Sequence, residues 1–252
     1  MYMRFLYLKI NPEYQSLLVP FYNNSVIPEL QNTEGCLFVG LVKSGQSMSD
    51  YVSVTLWRSK EQAETYDRGE SYQKLMRQIK PYLSESTEWK VHLSDDLELR
   101  VNSTPEEPVR RGYQVTAGIT PVGKDSLSPD ELYVRLVSLK IQTGKLEEFR
   151  QIYAEEIVPV LQNYKGCRYI YLSESMQETN EVVSITVWDS KRDAEEYENS
   201  GTFGRLVDKV KHTFSHFYQW KLELAKEQKG ELKTSEDMKV DYYRMVSGKR
   251  FD

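Results

Sequence analysis

Apolar and polar positions along this chain follow a pattern that is laid down twice. Tyr51 to Trp57 (YVSVTLW) is dense in β-branched and aromatic residues and predicts a strand buried on both faces, and Val182 to Trp188 (VVSITVW) predicts the same. A shift of 131 positions carries Trp57 onto Trp188. It also sets Arg4 on Arg135, Lys9 on Lys140, Pro28 on Pro159, Gly35-Cys36 on Gly166-Cys167, Tyr66 on Tyr197 and Trp89-Lys90 on Trp220-Lys221. No gap is needed between residues 2–93 and 133–224, so one structural unit is used twice.

Within the first copy, Tyr2 to Ile10 predicts strand one, and Asn11-Pro12 opens a helix whose apolar face is Tyr14, Leu17, Leu18, Phe21 and Tyr22. Pro28 is expected to kink or end that helix. Gly35 marks a turn, Cys36 to Val42 reads as strand two, Ser44 to Ser47 as a turn and Tyr51 to Trp57 as strand three. Ser59 with Gln62 three residues on forms a capping box, and Ala63, Tyr66, Tyr72, Leu75, Met76 and Ile79 supply an inner helical face. Gly69 splits that helix, Pro81 stops it, and Glu88 to Leu93 reads as strand four. The second copy repeats the order, with Leu146, Phe149, Ile152, Tyr153 and Ile157 on its first helix and Ser190 with Asp193 at its second cap.

Strand, helix, strand, strand, helix, strand is the ferredoxin-like arrangement, an α+β class in which both helices cover one sheet face. The other face stays apolar and needs a cover, and the second copy is the nearest one. The expected division is repeat one at 1–93, a linker or externally packed segment at 94–131, repeat two at 132–224 and a polar, mobile tail at 225–252. Inside the linker, LELRVN and YQVTAGI are candidate edge strands, and in the tail Tyr242 and Tyr243 are candidates to dock on the body.

A net charge of −5 gives no electrostatic footprint for nucleic acid. No 18-residue apolar span is present and the first residues run straight into the repeat, which predicts neither a membrane segment nor a signal peptide. The two cysteines, Cys36 and Cys167, fit a reducing compartment, so the expected location is cytoplasmic. A bridge between them is one reading and buried small residues at a strand start the other.

Each repeat resembles the antibiotic biosynthesis monooxygenase family of the dimeric α+β barrel superfamily. The resemblance rests on PELQNTEGCLFVG with PVLQNYKGCRYIY, and on TLWRSKEQAETY with TVWDSKRDAEEY. It implies two tandem ferredoxin-like repeats forming an intramolecular dimeric α+β barrel, present as a monomeric pseudo-dimer or a homo-oligomer of it. It also implies a small-molecule cavity between the sheet and the helices of each repeat. Quinone-forming members oxidise polyphenols with dioxygen and neither metal nor flavin. Haem-degrading members place an Asn on strand one, which neither repeat offers there, and a Trp on the helix after strand three with a His further along. The matching positions here are Tyr66 and Met76 in repeat one, and Tyr197 and Val207 in repeat two, so the iron-ligating imidazole is missing twice and haem degradation is disfavoured.

A cofactor-free oxygenase needs an apolar pocket, donors that hold an ionised phenol, and shielding from water. Trp57, Tyr66, Tyr72 and Met76 are candidate lining in repeat one, and Trp188, Tyr197 and Phe203 in repeat two. Aromatics at such spacing are more often core than site, Trp57 and Trp188 above all. Lys9 and Lys140 read as exposed edge groups or anion contacts. His212 and His216 lack the carboxylate of a metal motif, and His92 reads as a surface position. The chain is therefore expected to use no cofactor and to take a small hydrophobic or aromatic ligand. Three roles remain open: a monooxygenase-like enzyme acting on an aromatic or polyketide-like molecule, a non-catalytic binding module, and a structural domain with filled pockets.

Overall fold

The computed structural model describes residues 1–84, 90–93, 99–102, 107–119, 132–216 and 238–251. The chain divides into two compact units, one of residues 4–110 and 246–252, the other of residues 1–3 and 111–245. The class is α+β, tandem ferredoxin-like repeats of the α+β barrel type, as the sequence predicts.

In the first repeat, β1 (Tyr2–Lys9) leads through a turn at Pro12–Tyr14 into α1 (Gln15–Phe21), a π-helical turn at Tyr22–Val26, and α2 (Ile27–Gln31). Asn11 caps the entry by accepting from the Glu13 N–H. The helix runs on through Pro28 to Gln31 instead of ending there. The reason lies one residue earlier: the Ile27 N–H bonds back five residues to the Tyr22 carbonyl, which widens the turn where proline offers no donor. Leu18 and Tyr22 form the buried face, while Tyr14 and Leu17 of the predicted stripe are exposed.

β2 (Cys36–Ser44) and β3 (Asp50–Trp57) pair antiparallel from Cys36↔Trp57 to Lys43↔Tyr51, with a bulge after Cys36. Ser59 caps α3 (Lys60–Arg68) by accepting from the Gln62 N–H, and Gly69 separates it from α4 (Glu70–Ile79). Gly35 precedes β2 at φ +82°, where a side chain would also strike Gln62. The strand order is β1-β3-β2.

Strand four is not where the sequence placed it. β4 (Lys90–Leu93) pairs instead with β5 (Leu99–Asn102) in a separate two-stranded sheet. The stretch read as a linker then supplies an eleven-residue strand, β6 (Val109–Ile119), so YQVTAGI belongs to a main-sheet strand.

The second repeat carries β7 (Tyr133–Lys140), α5 (Leu146–Ile152), a π-helical turn at Tyr153–Ile157, α6 (Val158–Gln162), β8 (Cys167–Ser175), β9 (Glu181–Trp188), α7 (Lys191–Asn199) and α8 (Thr202–Val210). Here the Val158 N–H reaches back to the Tyr153 carbonyl just before Pro159, the same device as in repeat one. β7 pairs β9, β9 pairs β8, and β6 lies on the free side of β8. The segment read as a mobile tail forms β10 (Met238–Arg250), which pairs β7 from Met238↔Leu139 to Arg244↔Tyr133. Tyr242 and Tyr243 are part of that strand. The strand expected around Trp220 lies outside the described residues. The core of this repeat joins β7, β9 and β10 to Phe149, Tyr153, Leu206, Val207 and Phe214. Among the described residues, no helix is long and apolar enough to cross a membrane.

Candidate functional site

Each repeat builds its inner site around a charge that the apolar pattern hides. Arg4 on β1 and Arg135 on β7 sit in strands buried on both faces and are themselves 4% and 2% exposed. A guanidinium survives there only if its charge and N–H groups find partners. In repeat two, Arg135 Nε donates to Glu198 Oε1 at 2.5 Å, and the Tyr242 hydroxyl donates to the same carboxylate at 2.7 and 2.8 Å. The guanidinium carbon lies 4.2 Å from the Phe203 ring centre and 5.8 Å from that of Tyr197. Both rings present the face that attracts a cation. Arg135 Nη2 is buried and has no hydrogen-bond partner among the described residues.

Arg135 also lines a cavity of about 40 Å³ between β7, β9 and the helices. The remaining wall is almost wholly apolar, with Phe149, Tyr197, Phe203, Leu206 and Val207 among its members, and Tyr153 and Ser184 add hydroxyls. A space of this size holds on the order of one or two waters. Tyr153 hydrogen-bonds Ser184 at 2.7 Å.

In repeat one, Arg4 ion-pairs with Asp67, and Arg110 of β6 takes the other oxygen of that carboxylate at 2.6 Å. The Arg4 guanidinium carbon lies 5.4 Å from the centres of both Tyr66 and Tyr72 and 5.8 Å from Trp57. Position by position, Asp67 corresponds to Glu198 and Tyr72 to Phe203. The fourth-strand partner of the carboxylate is a second guanidinium in repeat one and a phenol in repeat two.

The two tryptophans stand behind these clusters. Trp57 Nε1 donates to Thr55 Oγ1 at 2.8 Å and Trp188 Nε1 to Thr186 Oγ1 at 2.9 Å. Their rings lie 5.4 Å from Tyr66 and 5.1 Å from Tyr197, and both are wholly buried. Burial raises the pKa of Tyr66, Tyr153 and Tyr197, with Arg4 or Arg135 pulling the other way. Burial, with the Glu198 hydrogen bond next, pushes Tyr242 up to about 12. These phenols are neutral donors at ordinary pH, and the fixed positive charge is the arginine.

Of the candidates read from sequence, Tyr197 and Phe203 line the cavity together with Val207, whose aliphatic side chain offers iron no ligand. Trp188 packs against Tyr197 from outside that wall. Trp57, Tyr66 and Tyr72 gather around Arg4, and Met76 is half-buried on α4. Lys9 and Lys140 are exposed at the strand ends, so the central charges of these strands are the arginines. His212 is exposed and bonded to Glu148 at 2.9 Å, and His216 is exposed. No cluster of metal-ligating side chains occurs among the described residues. The side chain of His92 lies outside the described residues. Cys36 and Cys167 are free thiols whose pKa burial pushes up to about 12. Arg4, Arg135, Asp67 and Glu198 carried one signal in the sequence: an arginine recurring inside an apolar strand, matched by an acid after each recurring tyrosine.

The sequence profile of the antibiotic biosynthesis monooxygenase family matches residues 1–78 and again 132–209. No curated protein matches the chain. Among solved structures, it is similar to a candidate monooxygenase of Fusobacterium nucleatum at 9% identity and TM-score 0.69, covering 99% of this chain and 94% of that one. It is similar to a candidate monooxygenase of Lactobacillus acidophilus at 10% identity and TM-score 0.67, covering 99% and 95%. A third, an anthrone oxidase-like protein, shares 16% identity at TM-score 0.60, covering 99% and 92%. At these identities the likeness is one of fold.

Proposed function

The chain belongs to the antibiotic biosynthesis monooxygenase family, and from that premise we propose that repeat two binds a small phenolic or enolisable aromatic compound as its anion and oxidises it with dioxygen. The observation that carries this reading is Arg135, which lines a mostly apolar cavity and whose buried Nη2 has no hydrogen-bond partner among the described residues. A buried guanidinium with a spare N–H favours an anionic oxygen by a charge-assisted hydrogen bond, and so lowers the pKa of a phenol placed there. The aromatic walls suit the ring that carries it. Among the described residues no carboxylate or imidazole lines the cavity to act as base, so the substrate must be acidic enough to arrive ionised or to ionise against Arg135.

For an anthrone-type substrate the balance is a ring CH₂ plus dioxygen giving C=O plus water. One oxygen atom enters the carbon, and the other leaves with the two hydrogens. Likeness to an anthrone oxidase-like protein makes this tricyclic class the first to test. A ring-sized ligand needs more than 40 Å³, so α8, joined to α7 through Gly201 at φ +74°, is the wall that moves.

The test is oxygen consumption with anthrone and with 1,4-dihydroxynaphthalene. Wild type should consume oxygen above buffer, and Arg135→Met should lose at least about tenfold of that rate, the scale of one lost electrostatic contact. An unchanged rate in Arg135→Met contradicts the reading. The second reading is a non-catalytic binding module, which the small cavity volume favours; ligand binding without oxygen uptake would select it.

A further inference from the structure

The two repeats differ in how they satisfy one buried hydroxyl. In repeat one, Tyr22 opens the π-helical turn and its hydroxyl lies 2.9 Å from Ser53 Oγ and donates to the Gly40 carbonyl at 3.1 Å. Two hydroxyl hydrogens then have two acceptors: Ser53 donates to Tyr22, and Tyr22 donates to the backbone. In repeat two, Tyr153 and Ser184 stand at the equivalent positions, 2.7 Å apart, but no carbonyl takes the second hydrogen among the described residues. The position of Gly40 is occupied by Tyr171. One O–H of the pair is thus left over, in a place where burial makes an unused donor cost on the order of 1–3 kcal/mol. Both residues line the cavity that Arg135 enters.

We propose that the Tyr153–Ser184 pair is a second polar anchor of the repeat-two cavity, and that the ligand taken there carries two oxygens, one held by Arg135 and one accepting a hydrogen bond from this pair. The class is a dioxygenated aromatic rather than a simple phenol. The inference rests on the reading of this cavity as a ligand site, and it adds the residue that discriminates between ligands. A site built to donate to an oxygen rejects the analogue that lacks it, because the donor is then stranded. Repeat one has no such spare donor at Tyr22 and should not make this distinction.

The test is anaerobic titration of the full chain with 1-naphthol and with the 1,3-, 1,4- and 1,8-dihydroxynaphthalenes, followed by intrinsic fluorescence, with Trp188 packed against the lining residue Tyr197. Wild type should bind at least one diol about fivefold or more tighter than 1-naphthol, the scale of one hydrogen bond. The double variant Tyr153→Phe with Ser184→Ala should abolish that preference while leaving 1-naphthol within about twofold, since either hydroxyl alone still has a hydrogen to give; Tyr22→Phe should retain it. General structural damage would weaken all four probes alike, and that result overturns the inference, as does a wild type with no preference among probes it binds. Both of those outcomes leave the cavity reading standing. If Arg135→Met binds every probe as wild type does, or wild type binds none, the cavity reading falls and this inference with it.

Discussion

Asp67→Ala lowers the stability of the chain by about 4 kcal/mol, the largest loss expected from a single charged residue. Its carboxylate neutralises Arg4 through one oxygen and Arg110 through the other. Removing it strands a buried guanidinium and leaves two positive charges side by side. Arg4 Nε already has no hydrogen-bond partner among the described residues. Glu198→Ala removes the carboxylate from a single guanidinium and from the Tyr242 phenol, so about 3 kcal/mol is expected there. Urea midpoints should rank wild type above Glu198→Ala and Glu198→Ala above Asp67→Ala. The pair Arg135→Met with Glu198→Leu should recover most of the Glu198→Ala loss, since no charge is then left buried. If Asp67→Ala unfolds at the wild-type midpoint, the ion pairs of Asp67 are not holding repeat one together.

Trp57→Ala and Trp188→Ala carry the second large effect, about 3–5 kcal/mol each. Both rings are wholly buried, both are packed at a tilt against a tyrosine, and both donate to a threonine two residues earlier on the same strand. Alanine leaves a cavity beside the very tyrosine that faces the arginine. Trp188→Phe keeps most of the ring but strands the Thr186 hydroxyl, and should cost about 1 kcal/mol. Thermal unfolding followed by circular dichroism measures both. A Trp188→Ala protein as stable as wild type would mean that the packing between β9 and α7 contributes little.

The doubling of the fold was legible because the shift of 131 holds without a gap from residue 2 to residue 93. β1 to β3, the split helix at Gly69 and both serine caps follow from local rules and stand where those rules put them. The fourth strands were not legible. β6 ends at Ile119 and β10 at Arg250, 131 residues apart, so they keep the register, but few residues recur across it beyond Val109 with Val240 and Val115 with Val246. Their charged residues, Arg110 and Arg111 in one, Lys239 and Asp241 in the other, made them look like linker and tail. Yet Met238, Val240, Tyr243, Met245 and Ser247 of β10 are buried. A strand hydrogen-bonded to a neighbour tolerates charge wherever alternate residues face solvent.

At the site, the aromatic residues were found by spacing and the polar ones were not. Tyr197 and Phe203 sit on a predicted inner face. Arg135 breaks an apolar strand, and composition alone treats such a residue as an anomaly rather than as the centre of a cluster. Tyr153 was read as a core residue, which it also is; what spacing cannot convey is that its hydroxyl shares two hydrogens with one acceptor fewer than Tyr22 has.

The most direct measurement is a structure of the full chain with 1,4-dihydroxynaphthalene bound under anaerobic conditions. A ligand oxygen about 2.8–3.0 Å from Arg135 Nη2, with the ring against Tyr197 and Phe203 in repeat two, is the result this account predicts. A ligand bound elsewhere, or a saturating ligand that leaves the cavity unfilled while Arg135 Nη2 rests on a protein acceptor, would contradict it.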